Sequence, residues 1–271
     1  MTLFNDDDHA LFRSLRASSL ARAFEEIVTA NIDDDNPDVL TPEEAFRLAG
    51  QQVARDREAK RISEAIRKAR FPIMDASIAE IRYEQGRNLN PMTMKRLGNH
   101  DWGADPTNLL ILSPTGSGKT YLTCAVGISA CHNGYSVAYW RMDDLARRLA
   151  VTRIDTLEHE DMLAGLFGVD VLILDDFLTV GVDERTASDL FAILANRENI
   201  HATIIGSQST PGHWLDVLPD KNSGDSIVRA RPPDGGHGGF NQEADFRIAG
   251  PRSSNTAGAR YLHQECLRTV L

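Results

Sequence analysis

The chain is poor in cysteine. Three occur in 271 residues, an odd number without the paired spacing of a metal site or a disulfide framework, so neither chemistry is indicated and a reducing cytoplasm fits. Cys124 and Cys131, seven apart on what reads as one helix, are expected to pack in the core. Long apolar runs are also missing. None reaches the ~18 residues that a membrane span needs, and the opening MTLFNDDDHA is acidic where a secretory leader would be basic, so no membrane association is expected. Positive charge is in deficit, with 29 Lys and Arg against 39 Asp and Glu and a formal net charge of −10. That excludes a globally basic nucleic-acid coat. A local basic face stays open, because counterion release depends on the residues that touch phosphate and not on the total.

What remains is an ordinary globular composition, long enough for one sizeable core and an accessory domain. Residues 1–82 read as a helical N-terminal domain. In LFRSLRASSLARAFEEIV, Leu11, Leu15, Leu20, Phe24 and Ile27 recur at near-helical spacing. Thr41, Pro42 and Glu44 then supply an N-cap, a proline at the first helical position and an acid three residues after the cap, opening a long helix that Pro72 ends. Residues 83–107 are polar and read as a connector.

From 108 to 231 short apolar strands (NLLILS, SVAYWR, VDVLILDDF, HATIIGS) alternate with helices over 119–132, 143–151 and 183–198, and a mobile stretch is expected around 152–167. This alternation predicts an α/β fold, a parallel sheet with helices on both faces. Residues 232–258 are rich in Gly, Pro, Ser and Asn and lack any period, so an irregular, divergent tail is expected over 232–271.

The chemistry concentrates in SPTGSGKT, residues 113–120, set between an apolar strand and an apolar-faced helix. That context aims successive backbone N–H groups and the positive end of a helix dipole at one point, the arrangement that holds a phosphate. Pro114, Thr115, Gly116, Ser117 and Gly118 form the wrap, Lys119 would reach the β/γ-phosphates of ATP, and the Thr120 hydroxyl would bind Mg²⁺. Ser113 stands where such loops carry their first glycine; a small serine is tolerable there if its φ is negative.

In VDVLILDDF two carboxylates follow a buried strand. Asp175 is the expected Mg²⁺ partner and Asp176 the acceptor for an attacking water. A third apolar strand ends in Ser207 and Gln208, candidates for sensing the γ-phosphate. The stretch RDREAKRISEAIRKARF places Lys60, Arg61, Arg67, Lys68 and Arg70 along one helix, a candidate duplex-DNA face as well as an ordinary solvated one.

The order NLLILSPTGSGKT, DVLILDDF, TIIGSQSTPGHW and DSIVRAR, after the helical LRASSLARAFEE, resembles the IstB-type transposition helper ATPases, AAA+ relatives of the helicase loader DnaC and the initiator DnaA. The resemblance implies a P-loop NTPase (AAA+) that binds and hydrolyses ATP with Mg²⁺, binds duplex DNA, assembles into a homo-oligomer and recruits or activates a DDE transposase. It also implies an arginine acting on a neighbour's γ-phosphate, for which Arg229 or Arg231 is the candidate. After Arg231 the family's pattern is lost, as a change of reading frame would produce. A DnaC-like helicase loader and a nucleotide- or DNA-binding remnant without turnover are the alternatives at this point.

Overall fold

The computed structural model describes residues 3–31, 40–83, 89–179 and 181–219. The candidate arginines Arg229 and Arg231 and the tail 232–271 therefore lie outside the described residues. Two compact units are present, Met1–Glu64 and Ala65–Leu271.

The first unit is helical. Helices α1 (Asp6–Ser14) and α2 (Ser18–Ala30) divide what the sequence presents as one amphipathic run, because Arg16 takes a left-handed φ of 55° between them. Helix α3 (Pro42–Ala69) starts as the sequence predicts: the Glu44 carboxylate accepts from the Thr41 backbone N–H at 2.9 Å, and the Thr41 hydroxyl accepts from Glu44 N–H at 3.3 Å. Ala23 of α2 packs with Ala49 and Val53 of α3 in a small core flanked by Leu20, Phe24 and Ile27. Arg70, at a φ of 62°, ends α3 two residues before Pro72.

The second unit is built on four parallel strands: β1 (Leu109–Leu112), β2 (Val137–Arg141), β3 (Val171–Asp175) and β4 (Ala202–Ser207), in the order β1-β4-β3-β2. Both faces of the sheet are covered, which is why its strands read as near-continuous apolar runs. On one face Ile111, Ile173 and Ile204 meet helix α5 (Lys119–His132), through residues that include Cys124 and Cys131. On the other, Leu172, Leu174 and Ile205 meet helices α6 (Met142–Thr152), α7 (Thr156–Gly168) and α8 (Glu184–Arg197), together with Trp214 of the short helix α9 (Pro211–Val217).

Three sequence expectations change here. The stretch 152–167, expected to be mobile, holds α7, whose Asp155 cap accepts from the N–H groups of Leu157 and Glu158 and whose Leu166 is buried. The polar connector 83–107 contains helix α4 (Pro91–Gly98), capped by Asn90, with Met94 fully buried; Trp102 is buried just beyond it. Ala69, Phe71, Ala76 and Ile81 belong to the sheet's core, so the compact units divide at Glu64 while the composition shifts near 82.

Arg197 ties α8 to the sheet's entry edge. Its guanidinium is buried and donates to the carbonyls of Leu166, Val169 and Ala202 and to the Thr203 hydroxyl, and burial pushes it down to about 10. Among the described residues no helix is long and apolar enough to cross a membrane.

Candidate functional site

The strand order decides where the chemistry meets. With β4 between β1 and β3, the loop after β1, the acids ending β3 and the polar end of β4 share one edge, at the carboxyl ends of the strands.

Gly116 and Gly118 have φ values of 77° and 91°, a left-handed geometry that a side chain would resist, and Gly118 caps α5. The turn leaves the first backbone N–H groups of α5 without intrahelical partners, at the positive end of its dipole. Ser113 is not among the positive-φ residues, so a side chain is tolerated at that position. It is also buried and engaged: its N–H donates to the Ser207 carbonyl at 3.1 Å, and its hydroxyl accepts from Ser117 at 2.7 Å. The Ser113–Ser117 pair closes the base of the loop.

Lys119 is 5% exposed and lies 3.2 Å from an Asp176 oxygen. The Thr120 hydroxyl donates to Asp175 at 2.6 Å. Asp175 is 1% exposed, and its other oxygen, Oδ1, has no hydrogen-bond partner. Gly206 is required beside it, since a Cβ there would stand 2.5 Å from that oxygen. Asp176 has a φ of 53° and Leu178 one of 45°, so the backbone after β3 is held in a costly conformation where the acids emerge.

Gln208 bridges the loop and the second acid: its carbonyl oxygen accepts from the Thr115 hydroxyl, and its amide nitrogen lies 3.5 Å from Asp176. Ser207 differs. Its hydroxyl is fully buried, donates to the Phe177 carbonyl at 2.8 Å and accepts from Ser209 N–H and the Trp214 indole. It clips the strand ends together, and Gln208 is the residue of that pair that faces the loop.

Two strand residues escaped the sequence reading. Tyr139 donates its phenol proton to Asp175 at 2.8 Å, and burial, then the carboxylate's charge, pushes the phenol well above its ordinary range. Arg141, paired in register with Asp175, places its guanidinium 3.5 Å from Asp176. Both sit in SVAYWR, where alternation alone gave no sign of partners; the register of β2 on β3 is what brings them to the acids.

A cavity of 620 Å³ adjoins the loop, lined by Ser117, Gly118, Tyr121 and Leu122 on one side and by Ile81 and Leu89 on the other. It lies against the phosphate wrap and is large enough for a nucleoside.

The hydroxyl of Thr120 and the carboxylate of Asp175, bonded to each other at 2.6 Å, are hard oxygen donors of the kind Mg²⁺ takes. Among the described residues no group of three or more His, Cys, Asp and Glu could hold a metal unaided, so the phosphates themselves would complete the shell. The residues fit the cation.

The basic residues have a different setting. Lys60, Arg61, Arg67 and Lys68 are exposed on α3, and Arg70 is exposed past its end. Arg61 is paired with Glu58 at 2.6 Å.

Residues 10–229 match the family described as IstB-like ATP binding protein. A protein named for ATP binding in insertion sequence IS1162 of Pseudomonas fluorescens is 32% identical over 194 residues, spanning 72% of this chain and 82% of that one. The insertion sequence protein y4uH of Sinorhizobium fredii, also named for ATP binding, is 31% identical over 219 residues, or 80% and 86% of the two chains. Among solved structures, AMPPCP-bound DnaA from Aquifex aeolicus is similar with a TM-score of 0.50 at 22% identity, covering 65% of this chain and 50% of that one. The DnaC helicase loader is similar with a TM-score of 0.51 at 17% identity, covering 64% and 97%. Likeness at these identities is one of fold, the P-loop AAA+ core.

Proposed function

This chain belongs to the IstB-like ATP binding protein family, and from that premise we propose that it binds and hydrolyses ATP as a cytoplasmic, DNA-bound helper of transposition. The observation that carries the reading is a pair of adjacent hydrogen-bonded sets at the strand ends: Lys119 and Gln208 on Asp176, with Gln208 also on Thr115, and Thr120 on Asp175.

In this reading the turn 114–120 wraps the phosphates with backbone N–H groups, and the base and sugar occupy the cavity beside Tyr121 and Leu122. Lys119 exchanges its Asp176 partner for phosphate oxygens. Thr120 and Asp175 would hold Mg²⁺, which would supply neutralisation of phosphate charge. Asp176, released by Lys119, accepts a hydrogen bond from the attacking water and orients it, while Gln208 reports on the γ-phosphate through its amide. Arg141 restrains Asp176 from the β2 side. An arginine acting across a subunit boundary, Arg229 or Arg231, lies outside the described residues and enters by family resemblance only.

The duplex-DNA contact is assigned to Lys60, Arg67 and Lys68, with Arg61 and Arg70 as flanking charges. Self-assembly with ATP between copies and engagement of a DDE transposase complete the proposal. Phosphate release from ATP, measured with and without duplex DNA, tests it. DNA-stimulated release is expected; ATP binding without release, with or without DNA, would make the chain a binding protein that does not turn over.

A further inference from the structure

We propose that Tyr139 is a positioning residue for the divalent cation of the phosphate site, an inference that rests on the nucleotide reading of that site. Asp175 is held from two directions. Its Oδ2 accepts both the Thr120 hydroxyl at 2.6 Å and the Tyr139 hydroxyl at 2.8 Å. Its Oδ1 lies against Gly206, close enough that a Cβ would stand 2.5 Å away. Two donors on one oxygen and a backbone wall beside the other leave the carboxylate no second rotamer at low cost.

Tyr139 is itself fixed. It is 6% exposed, its ring centroid lies 6.1 Å from that of Phe71, and it packs in the same core cluster as Cys124 and Ile173. In register it pairs with Ile173, two residues before Asp175, so its phenol reaches along the sheet to the acid.

The consequence concerns Thr120. A hydroxyl that gives its proton to a fixed carboxylate keeps its oxygen lone pairs for a cation. Tyr139 fixes that carboxylate. Without the phenol, Asp175 gains rotational freedom and the Thr120 oxygen loses its set direction, while the backbone wrap and Lys119, which hold the phosphates, are untouched. The role is therefore specific to the metal-dependent part of nucleotide binding.

The test is the binding of a fluorescent ATP analogue titrated with MgCl₂, and separately in EDTA, for the parent protein, Tyr139→Phe and Gly206→Ala. Tyr139→Phe removes one oxygen atom and keeps the ring. It is expected to raise the Mg²⁺ concentration for half-maximal binding about tenfold, the lower end of what loss of such a supporting partner costs. Affinity in EDTA stays unchanged. Gly206→Ala, which crowds the same carboxylate from the opposite side, gives a shift in the same direction, so the claim stays testable if one variant folds poorly. An unchanged Mg²⁺ midpoint in Tyr139→Phe, or equal losses with and without Mg²⁺, overturns the proposal. A parent protein that binds no nucleotide in any condition overturns the nucleotide reading itself.

Discussion

The phosphate site and helix α3 carry their charges in opposite ways. Around the site Lys119 and Asp175 are nearly inaccessible, and each is tied to a named partner on another element. On α3 the cations project into water, and the ion pair there, Arg61 with Glu58, is local to the helix. Burying charge is costly unless it is compensated, so a buried lysine tied to Asp176 and a buried carboxylate tied to Thr120 and Tyr139 restrict what the site can do. Exposed charge costs little and carries correspondingly little information about function. The nucleotide reading rests on structure, whereas the DNA reading rests on pattern and kinship, and the two should respond differently to perturbation.

The largest effect is expected from Asp176→Asn. The amide keeps the shape beside Lys119 and Gln208 but removes the negative charge and turns one acceptor oxygen into a donor, so a basic acceptor for the water is lost and turnover should fall by ~10²–10⁴ with nucleotide affinity retained. Phosphate-release rates beside equilibrium binding check this, and full turnover would hand the water to another residue. Lys119→Ala comes next. It deletes the one buried cation of the loop, and a charge-assisted hydrogen bond of ~1.5–3 kcal/mol corresponds to a loss of about 10- to 150-fold in ATP affinity. Calorimetry or fluorescence titration reads it directly, and unchanged affinity removes Lys119 from the site.

Legibility followed the same division. The four strands stood out because strands buried on both faces read as apolar runs, and α5 stood out because its loop announces it. Lys119, Thr120, Asp175 and Asp176 could be placed because a parallel sheet brings its strand ends together whatever the details. Tyr139 and Arg141 could not, since their meaning lies in the register of β2 on β3, which no local pattern encodes. Ser207 was a sensor candidate, and only packing shows that Trp214 and Phe177 engage its hydroxyl. Helices α4 and α7 were readable but missed: Asn90-Pro91, and Asp155 with Glu158 three residues on, are start signals inside otherwise polar stretches.

On α3, replacing Lys60, Arg67 and Lys68 together with Ala should leave ATP binding intact. It should flatten the log–log salt dependence of DNA affinity by about two to three units, near 0.9 for each phosphate that is no longer neutralised. An identical slope in parent and variant would return the helix to an ordinary solvated face. The smallest effect belongs to Ser113→Gly. The Ser113 hydroxyl accepts from Ser117, so the loss of one neutral hydrogen bond should weaken ATP affinity about two- to tenfold. Tighter binding in the variant would mean that the Ser113–Ser117 pair restrains the loop against the phosphates.

The claim that joins the two regions is that ATP bound at the strand ends governs the grip of the basic helix on DNA. Duplex-DNA affinity measured at one salt concentration, with Mg²⁺–ATP and with no nucleotide, in the parent protein and in Lys119→Ala, tests it most directly. Assembly around ATP would turn several weak helices into one multivalent surface, so ATP should tighten binding in the parent and have no effect in the variant. Equal DNA affinity with and without ATP in the parent would contradict the account.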